Sequence, residues 1–227
     1  MARSGGDGKA AILGNIRRAL GRGEIGGEAR AACEARLKTH APNLIPARSK
    51  LPHEEQVALF IRMAEAVKAS VARVADDADV PEAVMGYLKQ QNLPANVVMA
   101  PDPSLDRYGW DGQKLLSVRR GRPEDADQVG VTGAFAAIAE TGTLMMASGP
   151  DHPTTLNFMP ETHVVVLRAE QVTGAYEEAF AALRARGDGL PRTVNLITGP
   201  SRTGDIEQKI ELGAHGPRRL HIVIVGD

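Results

Sequence analysis

The chain has 227 residues, 43% hydrophobic and 24% charged, which suits a globular protein with room for a substantial core. Lys and Arg total 27 against 28 Asp and Glu, so no net field draws the chain to nucleic acid or to an anionic membrane. Cys33 is the one cysteine, which excludes an internal disulfide and an iron–sulfur cluster held by this chain's own thiolates.

Residues 1–8 are a Gly/Ser/Asp stretch. Ile12, Leu13, Ile16 and Leu20 then recur at helical spacing over 9–20, and Gly21 and Gly23 stop the pattern. A second short helix is expected over 28–38, and Pro42, Pro46 and Pro52 mark a linker. Residues 1–50 therefore read as an N-terminal helical arm and linker, its helices too short to stand alone, and 51–227 as the main domain. No apolar run approaches the roughly 18 residues that cross a membrane. The start also lacks the apolar core of a signal peptide, so the cytoplasm is the expected location.

In the main domain, Val57, Phe60, Ile61, Ala64, Val67, Val71 and Val74 form one stripe and predict a helix over 54–75. Another helix should start at Pro81 and end near Gln91, followed by a strand over 96–100. Trp110, in the loop 101–112, is either a core anchor or a group that stacks on a ligand. A short strand is expected over 115–118. Arg119, Arg120 and Arg122 are offset by Glu124, Asp125 and Asp127, as on a solvated surface. Toward the end, strands over 163–167, 193–198 and 220–225 alternate with a helix over 170–186. That rhythm predicts a mostly parallel sheet flanked by helices, an α/β architecture.

The stretch from Val129 to Ser148 is small and apolar throughout except for Glu140. A carboxylate buried there must be paired, hydrogen-bonded or protonated. Beside the glycine turn Thr141-Gly142-Thr143 it is either a site or simply a strand end that accepts backbone N–H bonds. Ligands of open α/β sheets bind beyond the carboxyl ends of the strands. Three polar turns are placed to serve: Thr132-Gly133, Glu140 to Thr143, and Gly199 to Asp205. In the last, Ser201 or Thr203 is positioned to cap a following helix, and Arg202 supplies a planar donor for carboxylate or phosphate. His215, next to Gly216, is a candidate base or a turn-holding group. Asp151 and His152 lack a third ligand at recognisable spacing, so a loop hydrogen bond is expected there and no metal site. No P-loop, dinucleotide fingerprint or nucleophile elbow occurs.

Glu140-Thr-Gly-Thr143, Gly199-Pro-Ser-Arg-Thr-Gly-Asp-Ile-Glu207 and His215-Gly-Pro217 together resemble the LUD-domain family, in particular its lactate-utilization protein C group. The segment from Ile12 to Gly21 is similar to that group's opening helix. The likeness covers most of the chain, with few markers over 40–130 and with Gly204 where the family commonly has Ala. It implies a fold similar to the NagB/RpiA/CoA-transferase group and a part in oxidising L-lactate to pyruvate. It also implies companion proteins that carry iron–sulfur clusters, with no cofactor in this chain. In related CoA transferases a Glu-Asn-Gly turn carries the nucleophile, and Glu140-Thr141-Gly142 is similar in kind.

Two classes of function follow from this. In the first, Glu140 and His215 carry acid/base chemistry on a small carboxylate. Thr141, Gly142 and Thr143 shape the pocket, and Ser201, Arg202, Thr203 and Gly216 hold the anion. In the second, the chain is a non-catalytic adaptor whose arm docks on an iron–sulfur partner. An enzyme acting on a CoA thioester or a phosphorylated sugar is a third option. Neither nucleic acid nor a membrane span is expected among its partners.

Overall fold

The structure is a computed structural model that describes residues 5–187, 189–206 and 209–226, and the chain divides into two compact units, 1–43 and 44–227. Residues 1–4 of the opening stretch, Asp188 and Glu207 lie outside the described residues. The first unit holds α1 (Gly5–Ala19) and α2 (Gly27–Thr39). Basic residues in the last turns, Arg17 and Arg18 in α1 and Arg36 and Lys38 in α2, complement the helix dipoles.

The second unit runs α3 (His53–Ala66), β1 (Ser70–Val74), α4 (Val80–Gln90), β2 (Asn96–Met99), β3 (Ser117–Arg120), β4 (Val129–Gly133), β5 (Ala136–Ile138) and β6 (Thr143–Ala147). It continues with β7 (Thr162–Arg168), β8 (Val172–Thr173), α5 (Tyr176–Ala185), β9 (Val194–Ile197), β10 (Arg202–Ile206), β11 (Lys209–Leu212) and β12 (Arg219–Val225). Six strands form a fully parallel sheet in the order β1-β12-β7-β4-β2-β3. A second sheet, β8-β5-β6-β9, is mixed, and β10 and β11 form a separate antiparallel hairpin.

Alternation along the central strands assigns each face its own core. Val131, Val164, Val166 and Val223 pack with Val84 and Leu88 of α4. Val165, Leu167, Ile222 and Ile224 pack with Val57, Phe60 and Ala64 of α3 and with Ala137 and Leu144 of the second sheet. On the far side of that sheet, Ile138 and Met145 meet Ala179 and Leu183 of α5. Burial of β7 on both faces agrees with its unbroken apolar sequence. Trp110 is the anchor of its loop: it is buried, and its indole N–H donates to the Leu105 carbonyl at 2.6 Å.

Several expected elements are corrected. The stripe over 54–75 is not one helix, because α3 ends at Ala66, Lys68 turns the chain at φ 72°, and Val71 and Val74 belong to β1. Their β-branched side chains suit the ladder against Ile222 and Val225, and a reversal made at lysine leaves no glycine to announce it. The helix expected over 170–186 is shortened to α5, since Val172 and Thr173 pair with β5 instead. The strand expected over 115–118 is displaced to Ser117–Arg120. β9 runs antiparallel to β6 in the second sheet, so the terminal rhythm of strand, helix and strand is not one continuous parallel run. Among the described residues no helix follows Ser201. Arg202 and Thr203 open a hairpin, and Thr203 pairs with Glu211, so no helix N-terminus is available there to attract an anion.

Candidate functional site

Two cavities lie between the central sheet and the second sheet, and both take walls from each. The larger, about 480 Å³, opens at the carboxyl ends of β2 and β4. Within the central sheet the chain passes from β2 outward to β3, and from β4 the other way to β7 by way of β5 and β6 of the second sheet. A crevice at such a reversal is where parallel α/β sheets collect ligands. Its walls include Thr132 and Gly133, named above as a polar turn, with Met146 and Ala147 opposite.

Polar groups concentrate on one side of this crevice. Asp102 is buried, and its Oδ1 accepts the Ser104 N–H at 2.9 Å, which leaves Oδ2 toward the crevice end of β4. A Cβ on Gly133 would stand 2.9 Å from that Oδ2, so only glycine lets the strand end approach the acid so closely. His152 Nδ1 lies 3.7 Å from Oδ2, within ion-pair reach once the imidazole is protonated. Across the crevice Arg186 lies with its guanidinium carbon 5.7 Å from the Phe135 ring centroid, a cation–π contact. Asp151 is also in the wall. Among the described residues no group of acidic, histidine or cysteine side chains is placed to hold a metal ion.

The second cavity, about 290 Å³, gathers several of the residues singled out from sequence. Ser201, Arg202, His215 and Gly216 all line it. The Ser201 N–H donates to the Pro217 carbonyl at 2.9 Å, and Gly213 N–H donates to the Ser201 carbonyl at 3.1 Å. These bonds tie the two loops into one wall. One Arg202 N–H donates to the carbonyl of Val67 at the end of α3. Thr203 is buried in the hairpin and does not line the cavity.

Glu140, Thr141, Gly142 and Thr143 line neither cavity. Glu140 is buried, its backbone N–H donates to Gly174 at 3.1 Å, and its Oε1 accepts the Tyr176 N–H at the start of α5, also at 3.1 Å. Thr143 Oγ1 lies 2.7 Å from Thr141 Oγ1, 2.9 Å from the Tyr176 hydroxyl and 2.7 Å from Thr198 Oγ1. A hydroxyl has one donor and two acceptor positions, so Thr143 is saturated. Thr198 links this group outward, because it lines the smaller cavity. The strand-end alternative for Glu140 is the one its hydrogen bonds support.

Sequence reading missed Asp102, His163, Tyr176 and Thr198. Asp102 carried a usable signal, an acid three residues past a β-branched strand in an α/β chain. The other three had none, because their partners are remote in sequence. His163 is the clearest case. It is fully buried, and its Nε2 lies 2.8 Å from Thr132 Oγ1. Burial pushes its pKa down to about 4, so the ring is neutral at ordinary pH.

Comparison with known proteins agrees with this architecture. A family model described as the LUD domain matches residues 57–225. An uncharacterized protein of Neisseria meningitidis serogroup B is 38% identical over 96 residues, 42% of this chain and 41% of that protein. Lactate utilization protein C of Geobacillus sp. strain WCH70 is 30% identical over 132 residues, 56% of this chain and 53% of its own. The chain thus spans about half the length of these curated relatives. A crystal structure of a DUF162 family protein from Deinococcus radiodurans superposes with a TM-score of 0.59 at 24% identity, covering 78% of this chain and 99% of that one. That likeness shows the shared fold.

Proposed function

The chain belongs to the LUD-domain family, and from that premise we propose that it serves lactate utilisation by binding L-lactate or pyruvate in the crevice at the ends of β2 and β4. The observation that carries this reading is the buried Asp102 with His152 3.7 Å from its free oxygen, set in a crevice that also holds the Arg186 cation. A 2-hydroxy acid offers a carboxylate to the cation and a hydroxyl proton to the imidazole. Asp102 lies 3.7 Å from that imidazole, on the side away from solvent.

In the finer form of the proposal, the substrate is oxidised to pyruvate in concert with partner proteins that carry iron–sulfur clusters. The residues here do not fit such a cluster, since the one cysteine is Cys33 and it is exposed.

Asp102→Asn keeps the acceptor for the Ser104 N–H, and His152→Asn removes the base without a buried void. Both variants are expected to bind L-lactate at least about tenfold more weakly by calorimetry, as befits loss of a charge-assisted contact worth roughly 1.5–3 kcal/mol. Their melting temperatures should stay near that of the parent. Both should also fail to restore lactate-dependent growth to a strain lacking its lactate-utilization protein C. Parental affinity in both variants would rule the crevice out as the lactate site.

A further inference from the structure

Two carboxamides line the crevice, and they are in opposite conditions. Gln171 is spent: its Nε2 donates to the Ala134 carbonyl at 2.7 Å, and its Oε1 accepts the Arg168 N–H at 2.7 Å. Asn157 is 6% exposed, and its amide has no hydrogen-bond partner among the described residues. Both amide atoms keep some accessible surface, so the group can be reached from the space that it lines. In the same wall the hydroxyls of Thr132 and Ser148 are engaged, with His163 and with the Thr193 N–H. Asn157 also borders the smaller cavity, but the cation and the imidazole assigned above to the substrate stand in the crevice.

The backbone holds this amide in a fixed place. Asn157 ends the helical turn Thr154–Asn157, which follows directly on His152 and Pro153. Within it the Leu156 N–H donates to the Pro153 carbonyl at 3.0 Å. Leu156 is fully buried against β4, where a Cβ on Gly130 would stand 3.2 Å from the Leu156 carbonyl oxygen. An unpaired amide in a buried position is costly, so each one that a fold keeps calls for an explanation, and a ligand that pairs with it supplies one.

We propose that Asn157 selects for an oxygen at C2 of the substrate, its Nδ2–H donating to the hydroxyl oxygen of L-lactate and to the keto oxygen of pyruvate. The inference rests on the lactate reading of the crevice and extends it. In lactate the hydroxyl gives its proton to His152 and accepts from Asn157, which uses its donor and one of its two acceptor positions. In pyruvate the keto oxygen accepts from the amide alone. Propionate has the same carboxylate and chain length but no C2 oxygen, so it leaves the amide unpaired and is discriminated against.

Calorimetry on the full chain, with sodium L-lactate, sodium pyruvate and sodium propionate as probes, tests this. The parent should bind lactate and pyruvate at least about tenfold more tightly than propionate. Asn157→Leu, close to asparagine in volume, and Asn157→Ala should each weaken lactate and pyruvate about tenfold and leave propionate within about threefold of its parental affinity. Their melting temperatures should fall by less than about 5 °C, since no hydrogen bond within the protein is lost. An unaltered lactate-to-propionate ratio in both variants overturns the assignment. So does a larger drop in melting temperature in both, which would make the amide structural. If His152→Asn weakens lactate binding and the Asn157 variants do not, only the Asn157 assignment falls. If the parent does not bind lactate, or binds it undisturbed by His152→Asn, the lactate reading falls and takes the assignment with it.

Discussion

The Glu140 turn and the Asp102 crevice each place a carboxylate among apolar neighbours, yet they end in opposite states. At the turn, Oε1 of Glu140 fixes the start of α5, and Thr143 spends its donor and acceptors on Thr141, Tyr176 and Thr198. At the crevice, Asp102 commits one oxygen to the Ser104 N–H and keeps the other 3.7 Å from an imidazole that is partly open to solvent. Hydrogen-bonding capacity left over, rather than the presence of an acid, marks the place where a ligand can bind. A saturated knot specifies structure, and an unsaturated pair beside a cavity is available for chemistry.

The contrast is broken or sharpened most strongly at Gly142. Its φ is 67°, and an added Cβ would fall 2.4 Å from the Ala64 nitrogen, on the backbone of α3. Gly142→Ala is expected to cost about 3–5 kcal/mol and to lower the melting temperature by roughly 10 °C. A change under about 1 kcal/mol would mean that the turn is not the packed structural element described.

An effect of similar size comes from acid. His163 and His221 are both buried, and burial lowers the pKa of each to about 4. The unfolded chain, with ordinary values near 6.5, binds protons first as the pH falls. Stability is therefore full above about pH 6.5 and declines toward about pH 4, by on the order of 3 kcal/mol for each ring. Urea midpoints at pH about 7 and about 4.5 measure the loss, and equal midpoints would refute it.

The smallest effect is expected from Glu140→Gln, which keeps an acceptor for the Tyr176 N–H. Stability should change by less than about 1 kcal/mol, and lactate binding in the crevice should persist. Loss of lactate-dependent growth in this variant at parental stability would return Glu140 to the catalytic role and dissolve the contrast.

Much of the architecture was legible in the chain. The apolar runs 163–167 and 220–225 gave central strands, and Pro81 gave the start of α4. What stayed hidden was governed by distant partners. Val71 and Val74 fit a helical stripe equally well until β12 supplies their neighbours. Thr203 looked like a cap because its cross-strand partner, Glu211, lies further along the chain and is not announced by local spacing. For the sites, Ser201, Arg202, His215 and Gly216 line one cavity without Thr203, because two loops carrying glycine and proline converge on one wall. Asp102 and His152 were not joined, since 50 positions separate them and only the sheet order brings them together.

The place of the last strand has a consequence for how the molecule assembles. β12 sits between β1 and β7, with Ser70 opposite His221 and Thr162 opposite Arg219. Until that segment leaves the ribosome, β1 has no ladder to join and one edge of β7 stays bare. Closure of the sheet therefore waits on a pairing that spans some 150 residues, the kind of long-range contact that slows folding and leaves sticky edges exposed meanwhile. A nascent chain stalled before residue 219 would be a natural client for chaperones.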